Sequence, residues 1–469
     1  MTTGSRRRRG VLWGVVGMVV LALVVVGGVL AGPSLAAIAG LTSESGRSTI
    51  DPTLMSRPPT PPIVDEGVVV GPPAGTHVQA TLTPATLQSA LAAVPTTGAG
   101  TTGYVVVDAS SGTTLAQSGA TTALIPASTM KLLTALAVTH ALDPAQRFDT
   151  RVVETTPGTI VLVGGGDPYL SSEPVTTGWP RPASLAELAD ATVARLKASG
   201  RSSVTLGYDD SLFQGPGWTP RWEDVFKVDQ TDVSALMVDH GQNQTTKVFS
   251  RTPAPDAAAV FAAALTGRGI AVTGPPTPAK GSGTELARVS SLPALTLMRL
   301  CLLRSDNVGT EMMARHVAIA QGRPATLEGG WAAVEAHLKA SGVWQDGTVI
   351  SDASGVSRDN RVPPATLAAA ARLVATAPEY RVLLDGLPVA GATGTLRDRY
   401  TTPPTLPGRG IVRAKTGGLR DVSTLAGFAT TRDGQVVVFA FMSNAFTNGD
   451  QARAWIDSST SVIAGCGCR

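Results

Sequence analysis

Apolar positions follow three different spacings along this chain of 469 residues. Residues 11–31 form one uninterrupted uncharged run, which predicts a membrane-spanning helix rather than the shorter apolar segment of a secretory leader. Ala37-Ile38-Ala39 just beyond it is a small-residue cleavage pattern, so a removed leader stays open as the other reading. Residues 32–82 show no apolar period. They collect Pro52, Pro58, Pro59, Pro61, Pro62, Pro72 and Pro73, the composition of an extended, partly stiff spacer.

From residue 83 the pattern is that of a folded body. Residues 83–93 predict a short helix. Residues 103–108 and 113–116 predict two strands around the turn at Ala109-Ser110-Ser111-Gly112. Residues 132–138 are strong helix formers. Between about 148 and 285 short strands and turns take over, with amphipathic helices at 185–198 and 256–265. The strand at 159–163 ends in Gly164-Gly165-Gly166-Asp167-Pro168. This lacks the Lys-Ser/Thr of a phosphate loop and runs into a proline, so it predicts a structural turn. Helical spacing resumes at 292–304 and again after a polar break at 305–307. A polar loop spans 350–361, before a helix at 364–377. Strands at 411–418, 423–429 and 435–442, the last two joined by Asp433-Gly434, predict an antiparallel sheet covered by a helix at 450–463. The expected division is a tail at 1–10, a span or signal at 11–31, a linker at 32–82, a catalytic domain in two parts at 83–150 and 286–469, and an insert at 151–285.

Composition changes the picture in three places. The net charge of +3 includes Arg6, Arg7, Arg8 and Arg9, ahead of the apolar run, so the body itself is near neutral. That argues against nucleic acid as a partner and predicts a cytoplasmic tail with an exported body. Cys301, Cys466 and Cys468 are too few for a disulfide framework. Cys301 lies in an apolar run and is expected to be buried, while Cys466-Gly467-Cys468 leaves a tail disulfide and free thiols open. The five histidines are scattered, with neither a His-Glu-x-x-His helix nor a Gly-x-Ser-x-Gly elbow, so neither a zinc protease nor an α/β-hydrolase is supported. No metal and no cofactor is expected.

The chemistry centres on Pro126-Ala127-Ser128-Thr129-Met130-Lys131. On a helix, Ser128 and Lys131 at i, i+3 share one face, so the amine can reach the hydroxyl. A serine in a first helical turn also meets free N–H groups and the positive dipole end. A nucleophile needs these two things, a base and a prepared electrostatic site. Alone, Ser-x-x-Lys is common. Two further patterns follow it in order: Ser305-Asp306-Asn307 in a break between helices, and Lys415-Thr416-Gly417 in a strand. Taken singly, the first is an ordinary helix cap and the second a strand end.

Together and in that order the three are the trio of serine β-lactamases and penicillin-binding proteins. The chain resembles, more narrowly, the penicillin-binding protein 4 type of D-alanyl-D-alanine carboxypeptidase/endopeptidase, the low-molecular-mass class C group. Gly164-Gly165-Gly166-Asp167-Pro168, Val233-Ser234-Ala235-Leu236, Asp352-Ala353-Ser354-Gly355-Val356-Ser357-Arg358 and the 387–396 segment carry that resemblance, which covers about residues 82–463. It implies an α/β (α+β) penicillin-binding, β-lactamase-like domain, an antiparallel sheet flanked by helices, with a β-rich insert between the first two motifs. The long separation of Lys131 from Ser305 accommodates such an insert.

The resemblance implies Ser128 as nucleophile and Lys131 as base, its pKa lowered by burial and by Lys415, with Ser305 relaying the proton to the leaving amine. Asn307 would hold the substrate or orient Lys131, and Lys415 and Thr416 would bind the terminal carboxylate. The N–H groups of Ser128 and Gly418 would form the oxyanion hole, and Gly417 would let the strand approach the ligand. Asp167, Asp306, Asp352, Ser354 and Arg358 read as structural, and His316 as packed. The expected partners are peptidoglycan stem peptides ending in D-Ala-D-Ala, β-lactams as inhibitors, and the membrane through the N-terminal segment. A β-lactamase, with an added base for deacylation, and a non-catalytic envelope scaffold or sensor are the competing functions.

Overall fold

The computed structural model describes residues 83–177 and 180–466; the apolar run at 11–31 and the proline-rich linker lie outside the described residues. Among the described residues no helix is long and apolar enough to cross a membrane.

In chain order the body opens with helix α1 (Pro84–Ala92), strands β1 (Thr101–Asp108) and β2 (Thr114–Ser118), and helix α2 (Met130–Ala141). The insert follows with β3 (Asp149–Thr156), β4 (Thr159–Val163), α3 (Leu185–Ala198), β5 (Ser203–Asp209), α4 (Pro253–Gly267), β6 (Ala271–Val272), β7 (Thr277–Pro278) and β8 (Thr284–Ser290). Helices α5 (Ala294–Arg304), α6 (Asn307–Ala320), α7 (Leu327–Ala340) and α8 (Pro364–Thr376) come next. Strands β9 (Arg413–Leu419), β10 (Val422–Thr430) and β11 (Val436–Asn444) and helix α9 (Gly449–Gly465) close the chain.

Two sheets result. The first is antiparallel throughout, in the order β2-β1-β11-β10-β9, so the first hairpin pairs with the last strand. Period-2 alternation sorts its side chains. Phe439 and Phe441 of β11 face one way, into a core with Leu87 and Leu91 of α1 and Trp455 and Ile456 of α9. Val438, Ala440 and Met442 face the other way, into the larger helical core. Tyr104 and Phe441 are direct cross-strand partners and stack with centroids 5.2 Å apart.

Helix α2 runs through the middle of the helical layer, among α5, α6, α7 and α8. Every residue from Met130 to Val138 is buried, Lys131 included. Over residues 130–138 the helix has no solvent face, and its sequence there is mostly apolar.

The insert holds the two expected helices beside its strands. Its sheet, β6-β5-β4-β3-β8 with β7 on β5, is antiparallel at β3, β4 and β8 and parallel at β4, β5, β6 and β7. Parallel neighbours need a crossover, and α3 and α4 supply it. Both helices pack on the sheet through Leu185, Leu188, Leu196, Phe261 and Leu265. Ser184 and Glu187 close a reciprocal capping box at the start of α3.

The glycine turn after β4 is structural. A Cβ at Gly164 would lie 2.4 Å from the Ala235 carbonyl oxygen, one at Gly165 2.2 Å from that of Asp149, and one at Gly166 2.5 Å from His316 Nε2. His316 is indeed packed. It lies over Phe148 at 3.6 Å between centroids, contacts the Gly166 carbonyl at 2.9 Å, and is driven by burial to a pKa of about 4.

After β5 the insert returns to the helical layer. Trp222, Val233, Ala235 and Met237 join the same core as α2 and α6. That return brings residues near 230 to the cleft. Cys301 is a free buried thiol, and Cys466 is disulfide-bonded, which closes the alternative left open for the tail.

Candidate active site

Ser128 sits in a 3-10 turn, Ala127–Thr129, that leads directly into α2. It therefore precedes the regular helix rather than lying in its first turn. Three elements pin that turn. Asn444, at the end of β11, grips Ile125 through both its N–H (2.7 Å) and its carbonyl (3.1 Å). Thr424 Oγ1 on β10 donates to the Pro126 carbonyl at 2.7 Å. Behind it, Ala127 adopts φ 47° and lies against Gly355, where a Cβ would stand 1.9 Å from the Ala127 oxygen. An alanine in the left-handed region is strained, and this close backing holds it there.

The i, i+3 geometry places Lys131 under the serine. Lys131 Nζ donates to Ser128 Oγ at 2.9 Å, to Asn307 Oδ1 at 2.6 Å and to the Ser354 carbonyl at 2.6 Å. The side chain is fully buried, and loss of solvation lowers its pKa to about 8, against the opposing pull of Asp352, Asp306 and Glu311.

Ser305 closes α5 in the left-handed conformation, φ 59°, and Asp306 caps α6 by accepting the Gly309 N–H at 3.0 Å. That sharp reversal aims Ser305 and Asn307 into one cleft. Lys415 Nζ donates to Ser305 Oγ at 2.9 Å and to the Thr416 carbonyl at 2.8 Å. Burial, and then the charge of Lys131, hold Lys415 well below the usual lysine range. Burial is the main cause of the lowered pKa of both lysines, and the two buried cations disfavour each other's charge.

Gly417 and Gly418 differ in their surroundings. A Cβ at Gly417 would meet Thr424 Oγ1 at 2.1 Å, the Pro126 oxygen at 2.7 Å and the Thr129 nitrogen at 3.0 Å; one at Gly418 would meet nothing closer than 4.0 Å. The close approach that glycine permits at 417 includes one to the turn that carries Ser128.

The fold thus gathers Ser128, Lys131, Ser305, Asn307, Lys415 and Thr416 from three distant stretches of chain. Several further residues surround these, of which Gln230 and Glu311 carried no sequence signal. Gln230 of the insert accepts the Asn307 Nδ2–H at 2.9 Å. Thr395 shares a 2.7 Å hydroxyl contact with Thr416. Glu311 holds the backbone of the loop behind Lys131. Asp352 shapes that loop by accepting from Gly355 N, Ser357 N, Asn360 Nδ2 and Trp222 Nε1. Arg358 forms a bidentate pair with Asp421.

This arrangement offers a hydroxyl with an adjacent amine of lowered pKa, and a second buried amine ready for an anion. It is equipped for acyl transfer through a serine ester. Among the described residues no group of three or more His, Cys, Asp or Glu side chains is placed to hold a metal ion.

Comparison with known proteins points the same way. The profile of the D-Ala-D-Ala carboxypeptidase 3 (S13) family matches residues 83–251 and 243–464. The chain is 37% identical to carboxypeptidase DacB of Mycolicibacterium smegmatis over 466 residues, 97% of each protein. It is 38% identical to a carboxypeptidase of Mycobacterium tuberculosis over 425 residues, 88% of this chain and 90% of that one. Its fold is similar to the crystal structure of penicillin-binding protein 4 from Haemophilus influenzae, with a TM-score of 0.67 and 21% identity over 81% of this chain and 98% of the other.

Proposed function

The chain belongs to the D-Ala-D-Ala carboxypeptidase 3 (S13) family, and from that premise we propose that Ser128 is its nucleophile, Lys131 the base and Lys415 the anchor for the substrate carboxylate. The protein is a serine-type D-Ala-D-Ala carboxypeptidase that acts on peptidoglycan stem peptides. The observation that carries the assignment of roles is Lys131 Nζ, buried and 2.9 Å from Ser128 Oγ.

In this reading, neutral Lys131 takes the Ser128 proton as Oγ attacks the carbonyl carbon of the D-Ala-D-Ala peptide bond. A pKa near 8 leaves a working fraction of the amine unprotonated at neutral pH. The N–H groups of Ser128 and Gly418 receive the developing oxyanion, each such donor being worth about 3–4 kcal/mol. The proton that Lys131 took passes by way of the Ser305 hydroxyl, which is bonded to Lys415, to the leaving amine, so Ser305 stays a hydroxyl and Lys131 returns to its neutral form. The C–N bond breaks, terminal D-alanine departs, and Ser128 carries the acyl group. Water, losing its proton to Lys131, then releases the shortened peptide. The terminal carboxylate sits on Lys415 and Thr416, and its charge returns Lys415 to the protonated state. The same cleft extends to cross-linked peptides, as an endopeptidase, and to β-lactams, whose ring carbonyl takes the place of the peptide bond.

A β-lactamase needs a further carboxylate to activate the deacylating water. Glu311 has both oxygens committed to N–H donors and is 1% exposed, so it does not offer that base. The enzyme works in the cell envelope, and we infer that residues 11–31 hold it to the membrane.

The test is exposure of the full-length protein to a fluorescent penicillin, alongside release of D-alanine from a peptide ending in D-Ala-D-Ala. A lasting adduct on Ser128 and D-alanine release, both absent from Ser128→Ala, are expected. Fast penicillin hydrolysis without an adduct would favour the β-lactamase. A folded protein inert to both compounds would favour the scaffold.

A further inference from the structure

Glu311 lies on α6 one turn beyond Asn307, on the same face. It never touches Lys131 or Ser128. Its Oε1 accepts the backbone N–H groups of Ala353 and Ser354 at 2.9 and 2.8 Å, and its Oε2 accepts Trp331 Nε1–H, from α7, at 2.9 Å. The carbonyls of the same two residues point the other way, onto α2. Thr134 Oγ1 donates to the Ala353 oxygen at 2.6 Å and Lys131 Nζ to the Ser354 oxygen at 2.6 Å. A two-residue stretch of loop is thus clamped between a carboxylate on α6 and the amine on α2.

We propose that Glu311 is the positioning residue of the acylating base, holding the Ser354 carbonyl against Lys131 while its carboxylate charge opposes loss of the lysine's proton. This rests on the reading of Lys131 as the base.

A neutral amide oxygen would satisfy the two backbone N–H groups on Oε1 as well as a carboxylate would, though not Trp331 Nε1–H in addition. Glu311 buries a full carboxyl group at 1% exposure, beside a second carboxylate, Asp352. Burial first and Asp352 second raise it to a pKa of about 7. Its charge in turn supports the proton on Lys131, together with those of Asp352 and Asp306. The other ionisable group it acts on is Arg315, one turn further along α6. Without any acid nearby, burial would lower the Lys131 pKa further, and the amine would be a weaker base when the serine attacks. With Glu311 ionised beside Asp352 and Asp306, the Lys131 pKa is held at about 8, and its neutral form is basic enough to take the serine's proton. The alignment and a share of the tuning come from one side chain.

The experiment is the rate of Ser128 acylation by a fluorescent penicillin from pH 5.5 to 9.5 in the full chain, for wild type, Glu311→Gln, Glu311→Asp and Lys131→Met. Glu311→Gln removes the charge and keeps an acceptor, so the midpoint of the acid limb falls by about one pH unit, the size of effect a nearby charge has. Glu311→Asp keeps the charge on a shorter arm, so the midpoint stays while the plateau rate drops about tenfold. A Gln variant with the wild-type midpoint, whatever its plateau, overturns the proposal and leaves Glu311 a structural loop anchor. The Gln side chain presents an amide N–H to Trp331 Nε1–H. If that conflict prevents folding, Glu311→Gln with Trp331→Phe carries the same prediction and the same overturning result. The Lys131→Met arm separates the two levels of argument. Acylation that survives it with an unchanged pH profile removes the base itself, whereas acylation lost there and unshifted in the Gln variant removes only the role of Glu311.

Discussion

Lys131 and Lys415 are both fully buried and both bonded to a serine hydroxyl, yet the ground around them is opposite. Lys131 stands on a helix over Asp352, Asp306 and Glu311, whose charges hold up a pKa that burial would otherwise depress further. Lys415 stands on a strand and donates to Ser305 Oγ and the Thr416 carbonyl, and the charge that bears on it is that of Lys131. Buried amines are expensive unless paired. One lysine has buried acids near it and is tuned near neutrality, suited to giving and taking a proton. The other has a cation near it, suited to binding a carboxylate. On the proposed reading the same residue type serves two jobs because its charged surroundings differ.

The largest expected effect comes from exchanging each lysine for methionine, which keeps much of the volume and removes the amine. Lys131→Met should lower acylation by about a thousandfold or more at every pH, the scale of a lost general base acting on a nucleophile. Lys415→Met should lower kcat/KM about a hundredfold for a peptide ending in a free carboxylate, the scale of one lost charged hydrogen bond in a buried site. Its diagnostic is selectivity. Wild type should prefer the carboxylate over the C-terminal amide, and Lys415→Met should nearly erase that preference. Equal loss on both peptides would break the comparison, because Lys415 would then serve chemistry and not recognition.

A smaller effect tests how the two lysines are kept in register. Strand β9, which carries Lys415, is pressed against the turn that carries Ser128 at Gly417. Gly417→Ala puts a methyl group 2.1 Å from Thr424 Oγ1 and 2.7 Å from the Pro126 oxygen, so the strand or the turn must move. Overpacking of this kind costs about 1–3 kcal/mol, and acylation should fall with it. Gly418→Ala, with nothing nearer than 4.0 Å, should leave thermal stability unchanged. Similar melting curves for the two variants would mean that the seam is looser than the distances require.

Much of this was legible in the sequence, for identifiable reasons. Helix α3 was read at residues 185–198 because its apolar period is regular, and the structure starts it there at a capping box. The sheet order was legible at β9, β10 and β11, where short links force antiparallel neighbours. The three motifs announced themselves because each is short and local. What could not be read is whatever depends on two distant segments meeting. Gln230 reaches Asn307 only because the insert folds back over the helical layer. Glu311 looks like any acid on a helix until the 351–358 loop is laid across it. The parallel half of the insert was missed because short strands leave no mark of which neighbour they pair with. At Gly417 the approach of the Ser128 turn could not be read, since a sequence shows that a close approach is allowed but not what approaches.

The smallest expected effect concerns the join between the two settings. Arg358, in the loop that supports Lys131, forms a bidentate pair with Asp421, in the turn between β9 and β10, at 2.7 and 3.1 Å. Its side chains are 28% and 31% exposed, so solvent screens the pair, and its worth is about 0.5–1 kcal/mol. Asp421→Asn should therefore lower the melting temperature by a degree or two, and by less in high salt. The pH dependence has a definite sign. The Arg358 hydrogen bond holds the Asp421 carboxyl below its ordinary value, so the pair's contribution is complete above about pH 4 and is lost as pH falls through the lowered value. Wild type and Asp421→Asn should differ at pH 7 and converge at strongly acid pH. Acylation by penicillin should barely change, because neither lysine uses this pair. If instead the pH midpoint of acylation moved with Asp421→Asn, the acidic surroundings of Lys131 would reach across to the strand side, and the two lysines would have to be treated as one coupled site.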